Sequence, residues 1–217
     1  MISKQVSRGA AKFTMTAHFH PTLDSNPFAT RFTRPGALPF LFPAEVDAPK
    51  LARQLAANHW WGEIVGPHGT GKSSLLAELA PLLEGAGRTL VRATLSRDRR
   101  QPPFTAADAA LWTAATQVIV DGYEQLSWWN RRTLQAWVRG RKAGLLVTTH
   151  QPLGLPPLWR TAPTLELAQQ LVARLLPSGD STIGAEDVAS AFANSTTNLR
   201  EMLFALYDVD QSRQRRP

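Results

Sequence analysis

Apolar positions along the chain alternate between two spacings, and the alternation marks out its elements. Val46, Leu51 and Leu55 fall at helical spacing and predict a helix from about Ala44 to Asn58. Trp60 to Gly66 (WWGEIVG) is a short apolar run closed by glycine and predicts a buried strand. Leu75, Leu76, Leu79, Leu82 and Leu83 predict a helix over Ser73 to Glu84, and β-branched content predicts a strand over Arg88 to Leu95. Thr105 with Asp108 has capping-box spacing and opens a helix to about Ala115. Gln117 to Asp121 (QVIVD) reads as an apolar strand ending in a carboxylate, Trp128 to Arg139 as a helix and Gly144 to Thr149 (GLLVTT) as a strand. Thr164 to Leu167 (TLEL) reads as a last short strand. Beyond it only helical spacing remains, over Ala168 to Leu176, Ala185 to Ala193 and Asn198 to Val209, before a basic tail, QSRQRRP, expected to fray.

Strands alternating with helices predict an α/β fold, a doubly wound parallel sheet covered on both faces. The helical remainder predicts a small C-terminal lid. Residues 1–36 are expected to form a flexible basic tail and the start of a strap, 37–167 the α/β core, and 168–217 the lid and tail. The strap, Asn26 to Pro43, holds three phenylalanine clusters punctuated by four prolines, which favours an extended segment lying against a domain.

Composition narrows the chemistry. The 217 residues contain no cysteine, which excludes disulfides, thiolate zinc sites and cysteine nucleophiles. No apolar run approaches the roughly 18 residues of a membrane-spanning helix, so a soluble, cytoplasmic protein is expected, with organelle targeting left open by the basic start at Lys4, Arg8 and Lys12. The formal charge of +7 arises from 24 Lys and Arg against 17 Asp and Glu, and arginine dominates. That balance favours anionic partners.

The strongest motif is GPHGTGKS, Gly66 to Ser73, which fits G-x-x-x-x-G-K-[ST] between a predicted strand and a predicted helix. Gly66, Gly69 and Gly71 let the loop curl so that backbone N–H groups and the helix N-terminus face an anion. Pro67, His68, Thr70 and Ser74 complete the expected nucleotide-binding loop. Lys72 supplies a point charge for terminal phosphates, and Ser73 a hydroxyl for Mg2+. Asp121, at the carboxyl end of a parallel strand, is the expected second metal anchor.

QVIVDGYEQL, Gln117 to Leu126, resembles the Walker B region of P-loop ATPases, in a form similar to that of STAND-type proteins. The usual AAA+ pattern has a glutamate directly after the aspartate, where this chain has Gly122. Glu124 is therefore the candidate to polarise the attacking water. The strand order resembles the ASCE division of P-loop NTPases, which includes AAA+ and STAND ATPases. That resemblance covers about residues 37–209, and it implies that Thr148, Thr149 and His150 end the strand that senses the γ-phosphate, with Thr149 the expected reporter. TNLREMLFALYD, Thr197 to Asp208, looks like a sensor 2 helix, which makes Arg200 its arginine. Arg160 occupies the region from which AAA+ proteins offer an arginine to a neighbouring copy in a homo-oligomer. No N-K-x-D string of the guanine-binding kind is present, so ATP is the expected nucleotide. Phe40 and Phe42 are candidates to cover the base or to pack in the core.

Three function classes fit: an Mg-dependent ATPase acting as a switch or motor subunit on nucleic acid or a protein partner; a regulatory module that binds nucleotide without turnover; and a small-molecule phosphotransferase. Two tryptophan pairs, Trp60-Trp61 and Trp128-Trp129, adjoin the nucleotide strands and suit core packing, with base stacking as the other reading. Arg97, Arg99, Arg100, Arg131, Arg132, Arg139, Arg141 and Lys142 form either a basic surface or a scattered one. His18 and His20 lack partners at metal-ligand spacing.

Overall fold

The computed structural model describes residues 26–29, 40–43, 45–96, 104–176 and 182–214. Most of the N-terminal tail, with Lys4, Arg8, Lys12, His18 and His20, much of the strap, and Arg97, Arg99 and Arg100 lie outside the described residues. Five strands form one sheet, β1 (Trp61–Val65), β2 (Thr89–Thr94), β3 (Thr116–Asp121), β4 (Gly144–Thr149) and β5 (Pro157–Arg160), in the order β2-β3-β4-β1-β5. Every pairing is parallel.

The two faces are covered by different helices. On one face α1 (Ala48–Ala57) and α2 (Lys72–Gly85) place Leu51, Leu55, Leu75, Leu79 and Leu83 against Ile64, Ile119 and Leu146. On the other, α3 (Ala106–Ala110) and α4 (Trp128–Gly140) place Ala109, Leu134 and Val138 against Val118, Val120, Leu145 and Val147. The fold is thus α/β and doubly wound. Alternate residues of β3 and β4 point to opposite faces, and both faces are apolar, as a parallel sheet between two helical layers requires.

Three expectations need correction. Thr164 to Leu167 is not a strand: Thr164 caps a helix, its Oγ1 accepting the Leu167 N–H at 3.2 Å, and α5 (Leu165–Leu175) begins there. The fifth strand lies instead at Pro157–Arg160, on the sheet edge, where prolines are tolerated. The helix after Thr105 keeps its capping box but stops at Ala110. Beyond it, Thr116 Oγ1 accepts from Thr113 N and Thr113 Oγ1 from Ala115 N, local bonds that compete with helix continuation. The C-terminal helix, rather than fraying after Val209, runs on as α7 (Leu199–Gln214). Arg213 there makes a two-pronged bond to Asp187, both contacts 2.7 Å, and buried Asp210 accepts from Thr182 and Gln214. These polar ties hold the last turns to α6 (Ala185–Asn194) and the segment before it.

α5, α6 and α7 share a core of their own, built on Val172, Val188, Met202, Leu203 and Leu206. Phe28 and Leu41 of the strap enter that core, while Phe40 and Phe42 pack on the sheet side. Asn26 anchors the strap by donating to the Tyr207 carbonyl at 3.0 Å. Among the described residues, no helix is long and apolar enough to cross a membrane.

Candidate nucleotide site

A cleft of about 760 Å³ opens at the carboxyl end of the sheet, between the Gly66 to Ser73 loop, the end of β3, β5 and the start of α7. Such a volume suits a small-molecule ligand. Its position is the general one for parallel α/β sheets, where ligands collect beyond the strand ends.

The floor of the cleft is the N-terminus of α2. Its cap residue, Gly71, offers no side-chain hydrogen bond, so the first-turn N–H groups point outward uncapped. They form an anion-binding end. Gly69 has φ +70°, and a Cβ placed there would lie 1.7 Å from Asn198 Oδ1, so the loop and the α7 N-terminus approach as closely as only glycine permits. Asn198 Oδ1 also accepts from the Arg200 and Glu201 N–H groups, capping α7. Thr70 and Thr161 share a 2.6 Å hydrogen bond that fastens the loop to the residue after β5.

Lys72 is buried, and its Nζ donates to the Gly66 and Pro67 carbonyls at 2.6 and 2.7 Å. Burial holds its ammonium below the ordinary lysine range, with the Glu124 and Asp121 carboxylates opposing and Arg200 reinforcing the shift. An anion bound in the cleft would favour the charged form.

Ser73 Oγ donates to Asp121 Oδ2 at 2.7 Å. The paired hydroxyl and carboxylate are hard oxygen donors of the type Mg2+ takes, an ion held by one or two protein oxygens together with substrate phosphates. Among the described residues no group of three His, Cys, Asp or Glu is assembled for a metal. Asp121 Oδ1 is held by Thr148 Oγ1 at 2.5 Å, and Thr148 Oγ1 in turn accepts from Gly122 N at 2.9 Å.

That network moves one expectation. Thr148, not Thr149, lines the cleft. Thr149 is fully buried on the opposite side of β4, its hydroxyl donating to Glu63 Oε1 at 2.8 Å. Glu63 accepts the Leu153 N–H as well, so this buried carboxylate is paired as burial demands. The alternation of side chains along a strand makes the two threonines exclusive: if one faces the ligand, its neighbour cannot.

Gly122 explains the departure from the aspartate-glutamate pattern. Its φ is +83°, and an added Cβ would meet the Leu95 carbonyl oxygen at 2.7 Å. A glutamate cannot stand there without displacing backbone. The chain then turns through a short 3₁₀ segment, Tyr123–Gln125, that carries Glu124 into the cleft. Gly122→Ala is expected to cost about 1–3 kcal/mol through the left-handed backbone and the contact with Leu95, read as a lower urea midpoint. A loss under about 0.5 kcal/mol, the scatter of an ordinary surface substitution, would show that the turn accommodates a side chain.

Glu124 Oε1 lies 3.3 Å from His150 Nδ1, and His150 packs edge-on against His68 of the loop, ring centroids 3.7 Å apart. Glu124 Oε2 is buried with no hydrogen-bond partner among the described residues. Arg200 lines the cleft from α7 and Arg160 from the end of β5. Phe40, Leu41, Trp159, Leu167 and Leu203 supply the apolar wall, and the Phe40 backbone N–H is fixed by Glu78 at 3.1 Å. Phe42 stacks edge-on behind Phe40 and is not part of the lining.

Of the residues singled out in the sequence, the fold brings His68 to Ser74, Asp121, Glu124, Thr148, His150, Arg160 and Arg200 to one cleft. Gly66 and Pro67 are not part of its lining and offer carbonyls to Lys72. Asn198, Thr161 and Trp159 were not singled out. Asn198 carried a signal, an N-cap residue type ahead of an apolar helix; the other two had none, since β5 itself was misplaced.

No protein-family model matches the chain, and no curated protein matches it. Among solved structures it is similar to PCH-2 of C. elegans, at 13% sequence identity and a TM-score of 0.40, over 77% of this chain and 67% of that one.

Proposed function

We propose that the chain binds ATP with Mg2+ in this cleft and hydrolyses it slowly, serving as a nucleotide-driven switch for a partner. The observation that carries the reading is the juxtaposition at the uncapped α2 terminus of Lys72 and the Ser73–Asp121 pair, 2.7 Å apart. A phosphate-binding N–H cradle, a cation for the phosphates and an oxygen pair for a metal meet at one point. Each suits a polyphosphate, and together they suit little else.

In this reading the loop N–H groups and Lys72 hold the β- and γ-phosphates, and Phe40, Leu41 and Trp159 face the base. Ser73 and Asp121 would hold the metal, which when bound neutralises charge on the phosphate oxygens. Glu124 orients water through its unpaired Oε2. Thr148 takes the γ-phosphate role expected of Thr149, and it is tied to Asp121 already. Arg200 and Arg160 approach the phosphates from α7 and β5, so both arginines are supplied in cis. Because Asn198 and Arg200 belong to the lid and touch or face the loop, ATP and ADP would favour different lid positions, a population shift set by differential affinity.

The test is phosphate release from Mg-ATP together with the melting temperature. The expected result is a nucleotide-dependent rise in melting temperature and a turnover that EDTA abolishes. Nucleotide binding with no turnover would leave a binding module. Turnover that appears only with an added small acceptor would mean a phosphotransferase. A melting temperature unmoved by any nucleotide overturns the reading.

A further inference from the structure

The solvent face of α4 takes no part in the cleft, yet it is unusual in what it leaves in water. Trp128 is 58% exposed and Trp129 74%, their rings edge to face with centroids 4.5 Å apart. Arg132, one turn on, sets its guanidinium 5.6 Å from the Trp128 ring. At 3.6 residues per turn, Trp128, Trp129, Arg132 and Arg139 fall on the side opposite the buried Leu134 and Val138. From Trp128 to Lys142 the chain has five cations and no acid. Neither indole contributes to the core, and the helix would be held by Leu134 and Val138 without them.

Charge and shape choose the occupant. An apolar protein face would have to desolvate the arginines. A membrane would find only two indoles at one end of a helix whose exposed face continues through Arg132, Thr133 and Arg139. An acidic protein would pair the arginines but gain little from two bare rings. A single-stranded nucleic acid satisfies both sets, since phosphates pair with guanidinium groups and unpaired bases stack on indoles. We propose that the start of α4 is a docking site for single-stranded nucleic acid, Trp128 and Trp129 stacking on bases and Arg132 contacting phosphate.

Stacking and phosphate contacts do not read the sugar, so DNA and RNA strands bind alike. The inference deepens the proposed function by naming the partner of the switch. Arg131 links the two sites, donating to the Leu126 carbonyl at 2.8 Å and to the Glu124 carbonyl at 3.0 Å, so the turn that carries Glu124 and the start of α4 are one hydrogen-bonded unit.

The experiment is fluorescence anisotropy of labelled oligothymidylate and oligouridylate with the full chain and no nucleotide present, so that it succeeds or fails independently of the ATP reading. Both strands are expected to bind. Replacing Trp128 and Trp129 together by alanine should weaken binding by at least about tenfold, the loss of stacking on one base or more. Arg132→Ala should flatten the slope of log affinity against log salt by about 0.7, the value of one phosphate contact to a single strand. Both variants should keep the parent's melting temperature and its shift with ATP, which excludes unfolding as the cause. Absence of strand binding by the parent overturns the proposal, as does binding that the double variant leaves unchanged. Tryptophan-dependent dimerisation or vesicle binding without strand binding overturns it too.

Discussion

Lys72→Ala is expected to weaken ATP binding by a factor of at least about 100, because a charge-assisted hydrogen bond contributes about 1.5–3 kcal/mol and this ammonium can serve two phosphates. Its present partners make the argument sharper. Nζ donates to the Gly66 and Pro67 carbonyls, which belong to the loop itself. The side chain is therefore already folded over the cradle, and little conformational entropy is left to lose when a phosphate arrives. Burial meanwhile depresses the affinity of the amine for its proton. Sign matters here: a lysine with a lowered folded pKa opposes folding while it is charged, and this cost begins to fall as pH rises through the folded pKa and is gone only above the ordinary lysine value. Relief of that cost and loss of the two carbonyl hydrogen bonds act in opposite directions, so the variant should melt near the parent temperature without nucleotide. What it should lose is the ATP-induced rise, about 2.7 kcal/mol at a ligand concentration 100 times Kd. Calorimetric titration and thermal melts check both halves. A variant that still shows the full ATP shift would move the phosphates away from Lys72.

The elements most legible in the sequence were those whose local pattern and tertiary role agree. β4 is fully buried and reads as one apolar run, and its bounds match expectation at both ends. The Gly66 to Ser73 loop was legible because each glycine, the lysine and the serine serve one local geometry. Failures came where a distant contact or a single local side-chain bond decided the outcome. The edge strand β5 is a proline-flanked LWR whose one strand neighbour is β1, through a pairing with a register shift near Glu63. No periodicity announces it. Thr164 to Leu167 alternates polar and apolar residues as a strand does, yet a single cap bond from Thr164 commits it to a helix. The far end of α7 depends on Asp187 and Thr182, more than 25 residues away in sequence.

The threonine pair shows the same limit inside the site. Sequence placed Thr148, Thr149 and His150 at the strand end but could not give the strand's phase relative to the ligand. That phase is fixed by Glu63 on β1, which claims Thr149 from below. Asn198 illustrates a different gap. Its cap role was readable, while its position over Gly69 needed the packing of the whole helical layer against the loop.

Glu124→Gln is expected to leave ATP binding within about twofold and to lower turnover by a factor of about 10²–10⁴, the range for loss of a general base. The case rests on exclusion within the cleft as much as on position. Asp121 has both carboxylate oxygens engaged, one by Ser73 and one by Thr148. Glu63 lies in the sheet beneath, holding Thr149 and Leu153. Glu124 alone of these three carboxylates combines a place in the cleft lining with a buried oxygen that has no partner among the described residues. Its other oxygen faces His150, which the ring of His68 abuts, so the carboxylate is steered from the phosphate loop itself. Gln is isosteric and preserves packing but carries no negative charge to accept a proton from water. Single-turnover phosphate release separates this chemistry from product escape. A variant that retains more than about a third of parent turnover, far outside the loss expected of a base, would return Glu124 to a structural role. The cleft would then hold and release nucleotide with the switch driven by occupancy alone, since the lysine, the metal pair and the lid arginine remain in place whichever way Glu124 behaves.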